Sequence, residues 1–197
     1  MVGSRTIKVL AALVAAMTVG AFALIVMLES GGPVRPGEED LAALRDHPEG
    51  VSESVFRTAV PPQPLKWRNI VIHSTGAEGN IASRCHFVIH DRGSNLEQCI
   101  QSTALWKRQA EGNHVFVAGF DYNANSIGVC LAGDFASTAP SARQFEALVA
   151  LVNGLQRMFN VPRDRVYLLS DLNPSSQSPG QAFPAERLNA RLLKASR

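Results

Sequence analysis

The run WRNIVIHST, Trp67 to Thr75, decides how this chain is read. Asn69 to His73 is a short stretch rich in Ile and Val, the composition of a β-strand, and it ends on a histidine. Downstream, His86 to His90 and Ile127 to Leu131 repeat that β-rich character, and Arg165 to Leu169 is a further strand candidate. Pro140 and Ser141 open a segment in which Phe145, Leu148, Val149, Val152, Leu155 and Phe159 recur at steps of three and four, the spacing of a helix with one buried face. Asn160 is placed to end that helix. Pro184 to Leu193 reads as a terminal helix turning Leu188, Leu192 and Leu193 inward. Strands and helices in this order predict an α/β domain from residue 67 to 197, a central sheet covered by helices.

Upstream the composition changes twice. Residues 29–66 open on GGPVRPG and close on Val60-Pro61-Pro62-Gln63-Pro64, stretches that break regular elements, so they are expected to be a linker. Within it, Glu38 to Asp46 has the pattern of two helical turns, too short to stand without a partner. Val9 to Leu28 carries no charge, and twenty residues at about 1.5 Å each span roughly 30 Å of hydrocarbon. Arg5 and Lys8 precede this run and Glu29 follows it, so the positive-inside rule puts residues 1–8 in the cytoplasm. Residues 9–28 are then a single-pass transmembrane anchor, and the C-terminal domain is extracytoplasmic, periplasmic or on the cell surface. A cleaved signal peptide is the competing reading, although Met27-Leu28-Glu29-Ser30-Gly31 fits a cleavage site poorly.

Nineteen basic and seventeen acidic residues balance to +2. With no basic run beyond the N-terminal Arg5 and Lys8, nucleic acid is excluded as a partner. Cys85, Cys99 and Cys130 are odd in number and lack CxxC spacing, so they form neither a zinc knuckle nor a complete disulfide framework. One disulfide plus one free thiol is open; three buried free thiols are the expectation.

Five stretches carry a resemblance. They are WRNIVIHST, CHFVIHDRG (Cys85 to Gly93), the W-x-x-Q-x-x-G-x-H run from Trp106 to His114, YNANSIGVCLAGDF (Tyr122 to Phe135) and RVYLLSDLNPSSQSPGQAFP (Arg165 to Pro184). In this order they resemble the type 2 N-acetylmuramoyl-L-alanine amidases and the related peptidoglycan recognition proteins, over about 130 of the 197 residues. The resemblance implies a mixed central β-sheet flanked by helices, a groove for the peptidoglycan stem peptide, and a zinc ion on the groove floor. The chemistry implied is hydrolysis of the amide between the lactyl group of N-acetylmuramic acid and L-alanine, by a zinc-bound water.

Carried over residue by residue, His73 matches the family's first zinc ligand. Leu169 falls at the second, with Ser170 there if the alignment shifts by one, and Ser178 falls at the third. Neither a leucine nor a neutral hydroxyl replaces imidazole, thiolate or carboxylate. Cys85 stands where the family has a tyrosine and Cys130 where some members have an acid. Eleven residues, Ser74 to Arg84, separate His73 from Cys85, a short segment for one wall of the groove. No cofactor is therefore expected, and no catalytic residue is assigned. The groove candidates are His73, Cys85, His86, Trp106, His114, Asn123 and Asn125. Trp106 reads equally as a sugar-stacking or an anchoring aromatic, and Asn123 and Asn125 first as turn residues. A rebuilt metal site from His86, His90, His114, Asp91, Asp134 and Asp171 is the alternative that would restore an active amidase. Pairing of Cys85 with His73 as nucleophile and base is another. The reading favoured is a membrane-anchored domain that binds peptidoglycan or a cell-wall peptide without cutting it; a protein-interaction domain on the same fold is the third.

Overall fold

The computed structural model describes residues 51–76, 84–115, 117 and 120–194. All belong to the compact unit Asp40–Arg197. The anchor expected at Val9 to Leu28 and the two turns expected at Glu38 to Asp46 lie outside the described residues. Among the described residues, no helix is long and apolar enough to cross a membrane.

Five strands form one sheet: β1 (Asn69–Ser74), β2 (Phe87–Ile89), β3 (Ile100–Ser102), β4 (Ser126–Leu131) and β5 (Val166–Leu168), in the order β3-β2-β4-β1-β5. β1 runs parallel to both β4 and β5, β2 runs parallel to β4, and β3 is antiparallel to β2, so the sheet is mixed. Among the helices are α1 (Glu53–Phe56), α2 (Leu96–Cys99), α3 (Ala104–Lys107), α4 (Tyr122–Asn125), α5 (Ala142–Phe159), α6 (Leu169–Leu172) and α7 (Ala185–Arg191). This is the mixed sheet with flanking helices that the resemblance implies. β3, Ile-Gln-Ser, is not expected from the sequence because a single apolar residue makes no β-rich run.

Side chains alternate across a strand, and here the alternation divides the domain into two layers. Ile70 and Ile72 of β1, Phe87 and Ile89 of β2, and Ile127, Val129 and Leu131 of β4 join one apolar core with Phe145, Leu148, Val152 and Leu155 of α5. The opposite face receives the intervening residues, including Val71, His73, Val88, Gly128 and Cys130. α5 begins and ends where its sequence directs. The Ser141 side chain accepts the Gln144 N–H, and Asn160 closes the helix in the left-handed region at φ 55°. Gln144 is buried in α5, and its Nε2 donates to the carbonyls of Ile89 and Ala132 at 3.0 and 2.9 Å. It thereby ties the ends of β2 and β4 to the helix.

The linker expected at 29–66 needs correction at its C-terminal end. Val51, Val55 and Phe56 belong to the core, and the Trp106 indole Nε1 donates to the Phe56 carbonyl at 3.2 Å. The Phe56 ring covers Gly154 so closely that an added β-carbon there would come within 2.7 Å of it. Three apolar residues are too few to show helical periodicity, and their burial depends on partners remote in the chain, Phe87 of β2 and Gly154 of α5 among them.

Candidate functional site

Because β1 and β4 pair with His73 opposite Cys130 and Val71 opposite Gly128, the histidine and the cysteine emerge side by side on the face away from α5. Cys85 enters from the residues just before β2. His73 Nε2 lies 3.4 Å from Cys85 Sγ and 3.3 Å from Cys130 Sγ. The two sulfurs form a disulfide, and Cys99 is a buried free thiol. The expectation of three free thiols is thus overturned. Sequence spacing cannot bring residues 45 apart together, whereas the parallel pairing of β2, β4 and β1 does. In this state Cys85 is no nucleophile for His73 to activate, since its sulfur is already bonded.

Three histidines crowd this floor. His73 and His114 stack with ring centroids 5.9 Å apart, and His86 meets His114 edge to face at 5.7 Å. Gly112 and Gly128 leave the space: a β-carbon on either would fall within 3 Å of the His114 ring. His86 Nδ1 accepts the Gly128 N–H at 2.9 Å, so its Nε2 carries the proton and donates to the Ala110 carbonyl at 2.9 Å. Both nitrogens of His86 are occupied. His114 Nδ1 donates to the Arg84 carbonyl at 3.3 Å, which leaves an unprotonated Nε2; that atom is buried without a hydrogen-bond partner.

All three imidazoles are held neutral. Burial lowers His73 to about 3, with a smaller contribution from the neighbouring His114 charge. Burial likewise lowers His86 to about 3 and His114 to about 4, against hydrogen bonds to the Ala110 and Arg84 main chain that favour the charged form.

The closing segment arrives beside β1. Ser178 Oγ accepts the Ser74 N–H at 2.9 Å, and the Ser170 N–H donates to the Ser178 carbonyl at 3.0 Å. Gly180, at φ 131°, permits this approach, since a β-carbon would come within 2.4 Å of the Phe135 main chain. Ser178 is therefore held against Ser74, the residue after His73, while Leu169 opens α6 and brings no donor atom. The zinc set of the resembling family does not fit these residues: one imidazole, one hydroxyl and one aliphatic side chain stand where three strong donors are needed.

Other sequence candidates do different work. Trp106 is fully buried between Phe87 and Phe159, so it anchors the core and offers no face to a sugar. The Asn123 side chain accepts the N–H groups of His114 and Val115 and donates to the Val115 carbonyl, holding the loop that carries His114. Asn125 Oδ1 accepts from Asn69 Nδ2 at 2.7 Å. His90 pairs with Gln101. Asp91 accepts from Ser141, Asp134 from the Ala136 N–H and Asp171 from the Leu168 N–H. The alternative metal set is not assembled: among the described residues the His/Cys/Asp/Glu group whose ligand atoms lie within 4.8 Å of one another is His73, Cys85 and Cys130. The pairing of Cys130 with Cys85 and the free nitrogen of His114 are the site features the sequence concealed. A cleft of about 630 Å³ opens elsewhere, between β5 and α7, and its lining includes Val166, Leu168 and Leu188 but none of the histidines.

A mixed sheet with a histidine at the end of a central strand, faced by a closing loop, defines an amidase-type α/β domain. The profile of the family described as N-acetylmuramoyl-L-alanine amidase matches residues 63–181, and the chain belongs to that family. Among solved structures, it is similar to the N-acetylmuramoyl-L-alanine amidase LysC from Clostridium intestinale URNW, with 21% identity and a TM-score of 0.52 over 69% of this chain and 92% of that one. The endolysin amidase LysCS from the same organism gives 22% identity and a TM-score of 0.51, over 69% and 90% of the two chains. The selenomethionine derivative of AmpD gives 15% and 0.53, over 75% and 96%. At these identities the likeness is one of fold. No curated protein matches the chain.

Proposed function

We propose that this protein binds peptidoglycan, or a cell-wall stem peptide, without hydrolysing it, from a domain held outside the membrane by the Val9 to Leu28 segment. The observation that carries the reading is the exchange of groups on the site floor. The family fold and His73 are kept, while a disulfide between Cys85 and Cys130 occupies the positions of the family's tyrosine and acid. Leu169 and Ser178 occupy two ligand positions. Hydrolysis of an amide needs an activated water and a group that moves protons. A disulfide has no proton to give, and His86 has both nitrogens committed. Recognition of a peptide needs shape and hydrogen-bonding groups and no activated water.

The test uses the full chain in detergent, with the disulfide intact. It is expected to sediment with insoluble peptidoglycan at low salt and to release no stem peptide from muropeptides. Absence of retention refutes the binding reading, and release of free stem peptide refutes the inactive one. Recovery of the intact N-terminus in a membrane fraction tests the anchor; a mature chain beginning near Ser30 refutes it.

A further inference from the structure

The disulfide on the floor has a second state that the surrounding geometry accommodates. Two sulfurs and an imidazole nitrogen already converge, with N···S separations of 3.4 and 3.3 Å. In a tetrahedral site with metal–sulfur bonds of about 2.3 Å and metal–nitrogen bonds of about 2.0–2.1 Å, the same separation is about 3.5 Å. His73 is thus already near the distance that a metal shared with Cys85 and Cys130 requires. The neighbouring His114 provides an independent indication. Its Nδ1 proton is fixed on the Arg84 carbonyl, and its Nε2 lone pair is buried with nothing to accept from. An unmet buried acceptor stacked against His73 suits a metal-bound water in the fourth position.

We propose that Cys85, Cys130 and His73 form a redox-gated metal site, closed as a disulfide and open, once reduced, to a thiolate-preferring divalent cation of the zinc class. The gating step is an exchange with an external dithiol. The dithiol gives two electrons and two protons to the Cys85–Cys130 bond and leaves as its own disulfide. The sulfurs then move apart, and the entering cation displaces both thiol protons. Thiolate, thiolate and imidazole are donors that favour zinc over magnesium or calcium. This site shares only His73 with the family's ligand positions and is independent of whether the protein binds peptidoglycan.

The experiment uses the full chain carrying Cys99→Ala, which removes the third thiol, treated with a dithiol that is then stripped anaerobically. Titration with cobalt(II) is expected to bring in one equivalent, with a thiolate-to-cobalt charge-transfer band and the intense visible bands of a tetrahedral site. Zinc is expected to displace it. The oxidised protein is expected to give no such spectrum. Cys85→Ser and Cys130→Ser are each expected to weaken binding about 100-fold or more, and His114→Gln by about 10- to 100-fold. Should a serine variant fail to fold, alkylation of the reduced parent protein serves instead: zinc is expected to slow modification of both thiols at least tenfold. The proposal is overturned if the dithiol leaves the disulfide closed in the folded protein. Cobalt binding without a thiolate band, equal binding by the oxidised chain, or zinc that leaves alkylation unchanged each overturns it as well.

Discussion

The His114 ring lies almost parallel to that of His73, 19° between planes, and its Nε2 is buried with no hydrogen-bond partner. Leaving such an atom unsatisfied costs about 1–3 kcal/mol, so the stack is held by the residues around it. Asn123 fixes the His114 main chain and the Arg84 carbonyl fixes its ring.

A pH dependence follows from this cluster. In the unfolded chain each histidine takes a proton near 6.5, whereas in the fold His73 and His86 do so near 3 and His114 near 4. Between those values the unfolded state holds more protons, so stability is complete above pH 6.5 and falls as pH drops below it. Each histidine contributes up to ~1.4 kcal/mol per pH unit, a combined loss of roughly 6 kcal/mol by pH 5. Urea midpoints at pH 7.5, 6 and 5 are expected to decline steeply, and more shallowly in His114→Gln. A flat profile would contradict the buried neutral imidazoles.

The disulfide closes a chain separation of 45 residues, for which loop entropy predicts about 4 kcal/mol of stabilisation. Reducing it, or replacing both cysteines with serine, is expected to lower the urea midpoint in metal-free buffer by a corresponding amount. Peptide mapping without reductant is expected to recover Cys85 linked to Cys130 and Cys99 free. A Cys99-containing linkage would refute the assignment.

Phe56 tests where the domain starts. Its removal opens a cavity over Gly154 and beside Phe87, and Phe56→Ala is expected to cost about 3 kcal/mol. A fragment beginning at Pro64 is accordingly expected to be far less stable than one beginning at Val51. Equal melting of the two would return residues 51–56 to the linker.

Gly128→Ala sets a β-carbon within 2.7 Å of the His114 ring. Overpacking of this kind typically costs about 1–3 kcal/mol. The variant is expected to be less stable and, in the NMR spectrum, to shift the imidazole resonances of His114 and its neighbour His73. Unchanged resonances would mean that the ring does not lie over β4.

Trp106 distinguishes an anchor from a sugar platform. Trp106→Phe is expected to lower the melting point while leaving peptidoglycan retention of the folded protein unaltered. Lost retention at unchanged stability would place the ring in the groove.

Much of the fold was legible because it rests on local patterns. The α5 periodicity, its Ser141 and Asn160 boundaries, and the β-rich runs of β1, β2 and β4 are written in neighbouring residues. So was the family, through WRNIVIHST and the four stretches that follow it, and so was the absence of strong donors at Leu169 and Ser178, since residue type alone excludes ligation. What only the tertiary structure decided involves partners remote in the chain. Strand pairing sets His73 against Cys130, the approach to β2 brings in Cys85, and a sulfur that reads as a buried thiol becomes half of a disulfide. Packing against residues remote in the chain, Phe87 of β2 and Gly154 of α5 for Phe56, turns Val51, Val55 and Phe56 from linker into core. The tautomers of His86 and His114 follow from carbonyls and an N–H supplied by other segments, because a hydrogen bond is set by position in space and one-dimensional spacing does not encode it.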